Sequence, residues 1–429
     1  MRNLQVSEPL LSIIIPTRNR ARFLARALAS ARAQNAADLE IIVSGKASSG
    51  DTGAGAPSAP REGGRGRYVP RSPPGDMIAS WTFALSHARG TWWTFLSDDD
   101  ALVPGALETA LEAAERHQAP LAVWRYGFYY YPSWHELSRR NHLLLQPFTG
   151  AISAPPVADT LAHAFDRLEM VNWPQFSNAL MHRDVWKRML SLVGQPFPCP
   201  AGDCFTGMVL LLAAERCAVV DQPLTLYGWW GGSYTSSLAK QGPAALTAQP
   251  LPHVPLPFHF TTNLLTSALL LAQQEVAPLA ASFQVNWARY FAKTREEMAF
   301  LRSKGVVVDE LEKLWHEQLA AQPAHVRRKL ISDAHEPQQQ RQDGAHAPAA
   351  RTARPWRQKL RDPTNRSPFL FHWETQLRPR LRLERALLID GRRAGFADIL
   401  GATRRMPMLI ARGFARAHRR GRACTGVVV

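Results

Sequence analysis

Leu11-Ser-Ile-Ile-Ile-Pro16 is a short, β-prone apolar run, the pattern of a strand buried on both faces of a parallel sheet. The polar residues Thr17-Arg18-Asn19-Arg20 follow as a loop. Ala21 to Ala33 then reads as a helix, with Phe23, Leu24, Ala27, Leu28 and Ala31 at helical spacing. Leu39-Glu-Ile-Ile-Val43 is a second strand. Strand, helix, strand is the crossover unit of a parallel sheet, so the chain begins as an α/β protein.

Working outward, Ser44 to Arg67 is rich in Gly, Ala, Ser and Pro and reads as one long loop. Extended structure resumes at Tyr68-Val69, and Asp76 to Arg89 reads as a helix that Gly90 can end. Thr91 to Leu96 is a strand that delivers Ser97-Asp98-Asp99-Asp100 at its C-terminal end. Val103-Pro104-Gly105 opens the next helix, Ala106 to His117. An aromatic-rich strand region covers Leu121 to Tyr131, and helices are expected at Val157 to Arg167, Arg183 to Leu192 and Gly202 to Glu215. A strand at Ala218 to Val220 leads to Tyr227-Gly-Trp-Trp-Gly-Gly-Ser233. The pattern is mainly helical from Phe258 to Leu330. The expected organisation is a first domain over 1–250, a helical region over 251–335, a Gln-, Ala- and Pro-rich linker over 336–350 and an Arg-rich tail over 351–429.

With 46% hydrophobic and 20% charged residues, the 429-residue chain is a folded protein rather than a disordered one. Its formal charge of +16 is concentrated at one end. Residues 351–429 hold 19 Arg and Lys against 5 Asp and Glu, a net of +14 that leaves only +2 for the preceding 350 residues. The four cysteines form no CxxC pair, which fits a reducing compartment rather than a disulfide framework. Met1 to Pro9 is polar and lacks an apolar signal core, and Leu264 to Ala272 is too short to span a bilayer. A cytoplasmic protein is expected, with a peripheral position at the inner face of the plasma membrane as an extension of that reading.

In open α/β sheets, ligands bind at the carboxyl ends of strands, where Asp98, Asp99 and Asp100 stand. Three adjacent carboxylates repel one another unless a cation offsets their charge. Mg²⁺ and Mn²⁺ favour carboxylate oxygen and accept phosphate as a further ligand, so a metal here can hold a diphosphate. The plainer alternative is a solvated acidic turn or a helix N-cap. The same alternative, the N-cap of the helix from Cys204, holds for Asp203.

Leu11 to Arg20, the strand ending in Asp98-Asp99-Asp100 and the downstream Ala201-Gly-Asp203 resemble family 2 glycosyltransferases of the GT-A fold, over roughly residues 10 to 240. The resemblance implies a mixed, mostly parallel sheet flanked by helices, a nucleotide-sugar donor and inversion at the anomeric carbon. It places Pro16, Thr17 and Arg20 along the base and phosphates of the donor, and Asp98 and Asp99 near its ribose and phosphates. Asp100 becomes the ligand of a divalent metal, Mg²⁺ or Mn²⁺. Asp203 becomes the general base, since a sugar hydroxyl is a poor nucleophile until a carboxylate takes its proton.

The sequence departs from the family where its second strand ends. Gly45 and Lys46 stand where an Asp and a polar residue are usual, and Gly50 stands where a second Asp is common, with Asp51 one position later. Three readings follow: Asp51 substitutes as the donor-contacting carboxylate through a shifted loop, donor selectivity has changed, or the donor site is degenerate and catalysis weak. No His occurs between His182 and His253, so the His that often adds a metal ligand in the family's closing loop is missing, with Ser233 and Ser236 as polar substitutes. Trp229 and Trp230 offer faces for stacking on a sugar, while most of the aromatics from Tyr126 to Trp134 read as core.

The leading reading is a metal-dependent, inverting glycosyltransferase that moves a sugar to a hydroxyl of a surface glycan or lipid-linked precursor. The alternative is a GT-A-like binding or scaffold protein with weak or no catalysis. For the Arg-rich tail, docking to anionic membrane, helped by the apolar residues of Met406-Pro-Met-Leu-Ile410 and Phe414, is preferred over nucleic acid by analogy, because many bacterial glycosyltransferases, which the chain resembles, act on lipid-linked or envelope glycans. A solvated tail without a partner is the third option.

Overall fold

The computed structural model describes residues 8–36, 38–46, 66–71, 77–146, 148–175, 177–197, 201–232, 251, 253–256, 258–276, 282–303, 306–335 and 387–419. The opening unit is β1 (Leu11–Thr17), α1 (Ala21–Arg32) and β2 (Leu39–Lys46), with β1 and β2 parallel and Leu11 level with Leu39. Next come β3 (Gly66–Arg71), α2 (Met77–Leu85), β4 (Trp92–Phe95), β5 (Ala101–Leu102), α3 (Ala106–Arg116) and β6 (Leu121–Tyr130). β7 (His142–Leu145), β8 (Ile152–Ser153), α4 (Val157–Arg167), β9 (Ala179–His182), α5 (Arg183–Val193), α6 (Gly202–Ala214) and β10 (Ala218–Trp229) complete the first part. The helical region holds α7 (Thr261–Glu275), α8 (Trp287–Ser303), α9 (Asp309–Ala320) and α10 (Ala324–His335). The chain returns as β11 (Leu387–Asp390), α11 (Gly391–Ala394) and α12 (Ile399–Arg419).

The sheet runs β11-β7-β6-β9-β4-β1-β2-β3, with β10 beside β6. From β3 to β4 it is parallel, β9 is antiparallel to β4 and β6, and the longest pairing, β6 with β10, is parallel again. This is the mixed, mostly parallel sheet flanked by helices that the sequence led us to expect.

Alternation along β1 explains the layers. Ile14 enters a core with α4, α5 and α6 on one face, whereas Leu11, Ile13 and Ile15 enter the other with α1 and α3. Ile13, Ile14 and Ile15 are fully buried, and each such side chain stabilises the fold by roughly 1.5–3 kcal/mol. Helices α7, α8, α9 and α10 extend the first of these cores, so the helical region continues the domain rather than standing apart.

Two expectations change. The loop expected from Ser44 to Arg67 is shorter at both ends: β2 runs on to Lys46 and β3 begins at Gly66. Asp51, Ser233 and Ser236 lie outside the described residues. Residues 387–409, read from sequence as part of a basic tail, belong to the body. β11 pairs antiparallel with β7, and Phe396, Ile399, Ala402, Met406 and Leu409 pack into one cluster with Tyr129, Tyr131 and Leu226. Arginines crowding this stretch mask its apolar spacing, which is why it reads as a tail.

Candidate active site

β4 ends in the turn that carries the three carboxylates, closed by Asp100 N–H donating to the Ser97 carbonyl at 3.1 Å. The turn is held between the ends of β1 and β10. β5 follows Asp100 directly and pairs with β10, Ala101 opposite Leu226, which brings Tyr227 to Trp230 alongside the carboxylates.

The three carboxylates have different surroundings. Asp98 is buried and accepts from Thr17 Oγ1 at 2.7 Å and from Arg20 Nη1 at 3.0 Å. Burial pushes its pKa up, although Arg20, Thr17 and the Arg18 backbone N–H all favour the ionised form. Asp99 accepts from Trp230 Nε1 at 2.9 Å and lies 3.4 Å from Arg20 Nη1, and its backbone carbonyl accepts from the Tyr131 hydroxyl at 3.0 Å. Burial, then the neighbouring Asp98, push it up to about 6. Asp100 is 0% exposed. Its Oδ1 accepts from Gly228 N–H at 2.9 Å, while Oδ2 has no partner at hydrogen-bond distance among the described residues, the Ser177 hydroxyl giving only a weaker interaction. Burial and Asp99 hold Asp100 well above the ordinary carboxylate range.

Gly228 makes this geometry possible. A Cβ there would meet the Asp99 carbonyl oxygen at 1.9 Å and the Tyr131 ring at 2.7 Å, so only glycine lets β10 come close enough to donate to Asp100. Arg20 stacks over the Trp230 ring at 5.0 Å, and Phe23 packs against both Trp230 and Tyr131. Burial works against the Arg20 charge, and Asp98 and Asp99 overcome it, raising its pKa.

The N-cap alternatives fall away. α3 is capped by Gly105, not Asp100, and Asp203 lies inside the first turn of α6, whose N-cap is Ala201. Burial raises the Asp203 pKa although nearby backbone N–H groups and Gln175 lower it. Tyr126 and Tyr227 meet edge to face at 5.5 Å, and the charges of both Asp100 and Asp203 act on each. Asp203 and the carboxylate turn therefore lie within electrostatic range of the same pair of tyrosines. Pro16 sits at the end of β1, level with Ser44, and Thr17 is level with Gly45.

Gly45 itself carries no donor-reading side chain. The Tyr68 hydroxyl lies 2.9 Å from the place a Cβ would take. Tyr126, Tyr227, Gly228 and the indole N–H of Trp230 are site groups that the sequence does not assign. The Trp229-Trp230 pair with its flanking glycines is the one signal for them, and the structure divides it: Trp229 is buried, and Trp230 holds Asp99. Of the expected aromatic core, Tyr129, Tyr130, Tyr131 and Trp134 are buried.

Among the described residues no group of three His, Cys, Asp or Glu side chains is arranged to hold a metal. Asp100 Oδ2 is nonetheless a buried oxygen donor left free, and magnesium-type sites commonly use one or two carboxylates with phosphate and water as the rest. The residues present fit a cation of that kind.

The family model for glycosyl transferase family 2 matches residues 12–171. A GalNAc(5)-diNAcBac-PP-undecaprenol beta-1,3-glucosyltransferase of Campylobacter jejuni is 37% identical over 116 residues, 26% of this chain and 36% of that protein. The uncharacterized glycosyltransferase EpsJ of Bacillus subtilis is 25% identical over 221 residues, 51% of this chain and 61% of its own length. The chain thus spans about a third and three fifths of these two relatives. Among solved structures, S. aureus TarS 1-349 in complex with UDP-GlcNAc superposes with a TM-score of 0.49 at 16% identity, covering 87% of this chain and 93% of that one. The mannosyltransferase PcManGT from Pyrobaculum calidifontis, in complex with GDP-Man and Mn²⁺, gives 0.38 at 15% identity, covering 77% and 85%. The part of the chain that contains β1 and the Asp98–Asp100 turn is thus similar to glycosyl transferase family 2.

Proposed function

We propose that the protein is an inverting glycosyltransferase that uses a nucleotide-diphosphate sugar and a divalent metal at Asp100. The observation that carries this reading is the buried Asp100, whose Oδ2 has no partner at hydrogen-bond distance among the described residues, in a turn whose charge acts with that of Asp203 on the same two tyrosines, Tyr126 and Tyr227. Thr17, Arg20, Asp98 and Asp99 form the wall beside the donor, and Arg20 is the cation placed to pair with phosphate oxygens. A cation at Asp100 would supply Lewis-acid stabilisation of the departing diphosphate.

Asp203 takes the proton of the acceptor hydroxyl as that oxygen bonds to the anomeric carbon and the bond to the diphosphate breaks. Its raised pKa makes it a stronger base than an exposed carboxylate. Attack from the side opposite the leaving group inverts the anomeric centre. The acceptor we infer is a hydroxyl of a lipid-linked or surface glycan; the name of the Campylobacter relative gives an undecaprenol-linked one. Among the described residues no helix is long and apolar enough to cross a membrane. We place the reaction in the cytoplasm, at the inner face of the plasma membrane.

One observation favours a second reading, a non-catalytic GT-A-like scaffold: Gly45 offers no side chain to a nucleotide base. A thermal-shift screen of nucleotide sugars with and without Mn²⁺, followed by assay of released nucleoside diphosphate, separates the two. The enzyme reading expects a Mn²⁺-dependent shift and turnover with at least one donor. Absence of both for every common donor would leave the scaffold.

A further inference from the structure

The ends of β1, β2 and β3 form one row beside the carboxylate turn. Leu11, Ile13 and Ile15 of β1 and Leu39, Ile41 and Val43 of β2 enter the core on the α1 face, so by alternation Thr17 and Gly45 share that face. Thr17 is level with Gly45, and its Oγ1 donates to Asp98. Tyr68 of β3 is level with Val43 and packs against the same core. Its hydroxyl reaches the end of β2, 2.9 Å from the point where a Gly45 Cβ would stand. A phenol from the neighbouring strand thus takes the place of the side chain that Gly45 lacks. That hydroxyl makes no hydrogen bond among the described residues, whereas Thr17, Arg20, Asp98 and Asp99 are engaged with one another.

The sheet order gives this hydroxyl its importance. Under the proposed function the diphosphate sits at the turn after β4, and Asp203 and Tyr126 mark the acceptor side, toward β6. The nucleoside then extends the other way, over the carboxyl ends of β1 and β2. The end of β2 is two strand spacings from β4, about 10 Å, which is the reach of a ribose and its base from a diphosphate.

We infer, on the glycosyltransferase reading above, that Tyr68 is the residue that reads the donor base and that its hydroxyl selects uracil over guanine. A phenol carries one O–H donor and accepts through the same oxygen. Uracil shows a single N–H between two carbonyl oxygens, and one hydroxyl can donate to a carbonyl beside that N–H. Guanine shows its ring N–H and its amino group side by side. A carboxylate satisfies both, whereas one hydroxyl leaves a donor unpaired, and an unpaired donor costs affinity. Packing of the Tyr68 ring on the core fixes the hydroxyl before a nucleotide arrives, so little is lost in ordering it.

The test is isothermal titration of uridine, N3-methyluridine and guanosine diphosphates, each with Mn²⁺, into the wild-type chain and Tyr68→Phe, with the melting temperature of both. Phe keeps the ring and removes only the hydroxyl. The wild-type chain should bind uridine diphosphate tenfold or more tightly than either other nucleotide. In Tyr68→Phe uridine diphosphate should weaken roughly tenfold, with guanosine diphosphate and the melting temperature unchanged. Wild-type preference for guanosine, equal binding of uridine and guanosine diphosphates, or no cost of N3-methylation would each overturn the inference, and these arms stand even if the variant does not fold. A preference that persists in folded Tyr68→Phe, or equal weakening of all three nucleotides there, would overturn it as well. All of these leave the glycosyltransferase reading standing, whereas binding of no nucleotide by the wild-type chain would sink both.

Discussion

The ends of β4 and β10 and the ends of β2 and β3 face the same side of the sheet but are built in opposite ways. At the first, three carboxylates, Asp98 and Asp100 buried and Asp99 half-buried, are each fixed by named neighbours: Thr17 and Arg20, Trp230, and Gly228. At the second, Gly45 presents backbone alone, with the Tyr68 phenol laid where a side chain would begin. The first end is costly to assemble, since burial raises all three pKa values and a neighbouring carboxylate adds to the rise at Asp99 and Asp100, a cost that Arg20 offsets in part and a bound cation would offset further. The second makes no comparable demand. Under the proposed function, the chemistry belongs to the carboxylate end and donor choice to a weaker set of contacts, so the two functions should separate under mutation.

The largest effect is expected at Asp203. Asp203→Asn keeps size and hydrogen bonding but removes the base, and kcat should fall by about 10²–10⁴-fold with donor binding unchanged. A variant that loses donor affinity in step with kcat would break the division between the two ends. Next is Gly228→Ala. The added methyl meets the Asp99 carbonyl, and overpacking of this kind costs roughly 1–3 kcal/mol. A lower melting temperature and loss of metal-dependent nucleotide binding are expected together, whereas an unchanged melting curve would show that β10 does not need its close approach.

The pH dependence is a smaller effect. A carboxyl whose pKa is raised by folding binds its proton more tightly in the folded chain, so it favours the fold below its unfolded value near 3.8. That contribution is lost as pH rises through about 6 for Asp99. Between about pH 5 and about pH 7 the metal-free chain should lose melting temperature, and Asp99→Asn should lose less of it. Equal slopes for the two would contradict the burial argument. The smallest effect is expected at the bare end. Gly45→Asp must displace the Tyr68 hydroxyl, and it should shift the preference between uridine and guanosine donors with little change in kcat on the preferred one. A large fall in kcat there would erase the contrast.

Much of the fold was legible because β1, α1 and β2 announce themselves by apolar periodicity, and burial in a parallel sheet demands it. The position of Asp98, Asp99 and Asp100 at the end of a strand was legible for the same reason, because the apolar run before them marks the strand. The supports were not. Gly228 donates through its backbone and Trp230 through an indole N–H from 130 residues away, and neither leaves a spacing signal. Nor did Phe396 to Leu409 read as core, because seven arginines between Gly391 and Arg419 outweigh the apolar residues at helical spacing in any compositional window. Asp51, the carboxylate offered for the bare end, lies outside the described residues.

The central claim is that Asp100 joins a metal to a nucleoside diphosphate. Isothermal titration of uridine and guanosine diphosphates, with and without Mn²⁺, on the wild-type chain and on Asp100→Asn tests it most directly. The account predicts Mn²⁺-dependent binding of one nucleotide by the wild-type chain and its loss in Asp100→Asn, with the melting temperature of the metal-free variant unchanged or raised. Mn²⁺-dependent binding of equal strength in Asp100→Asn would contradict it.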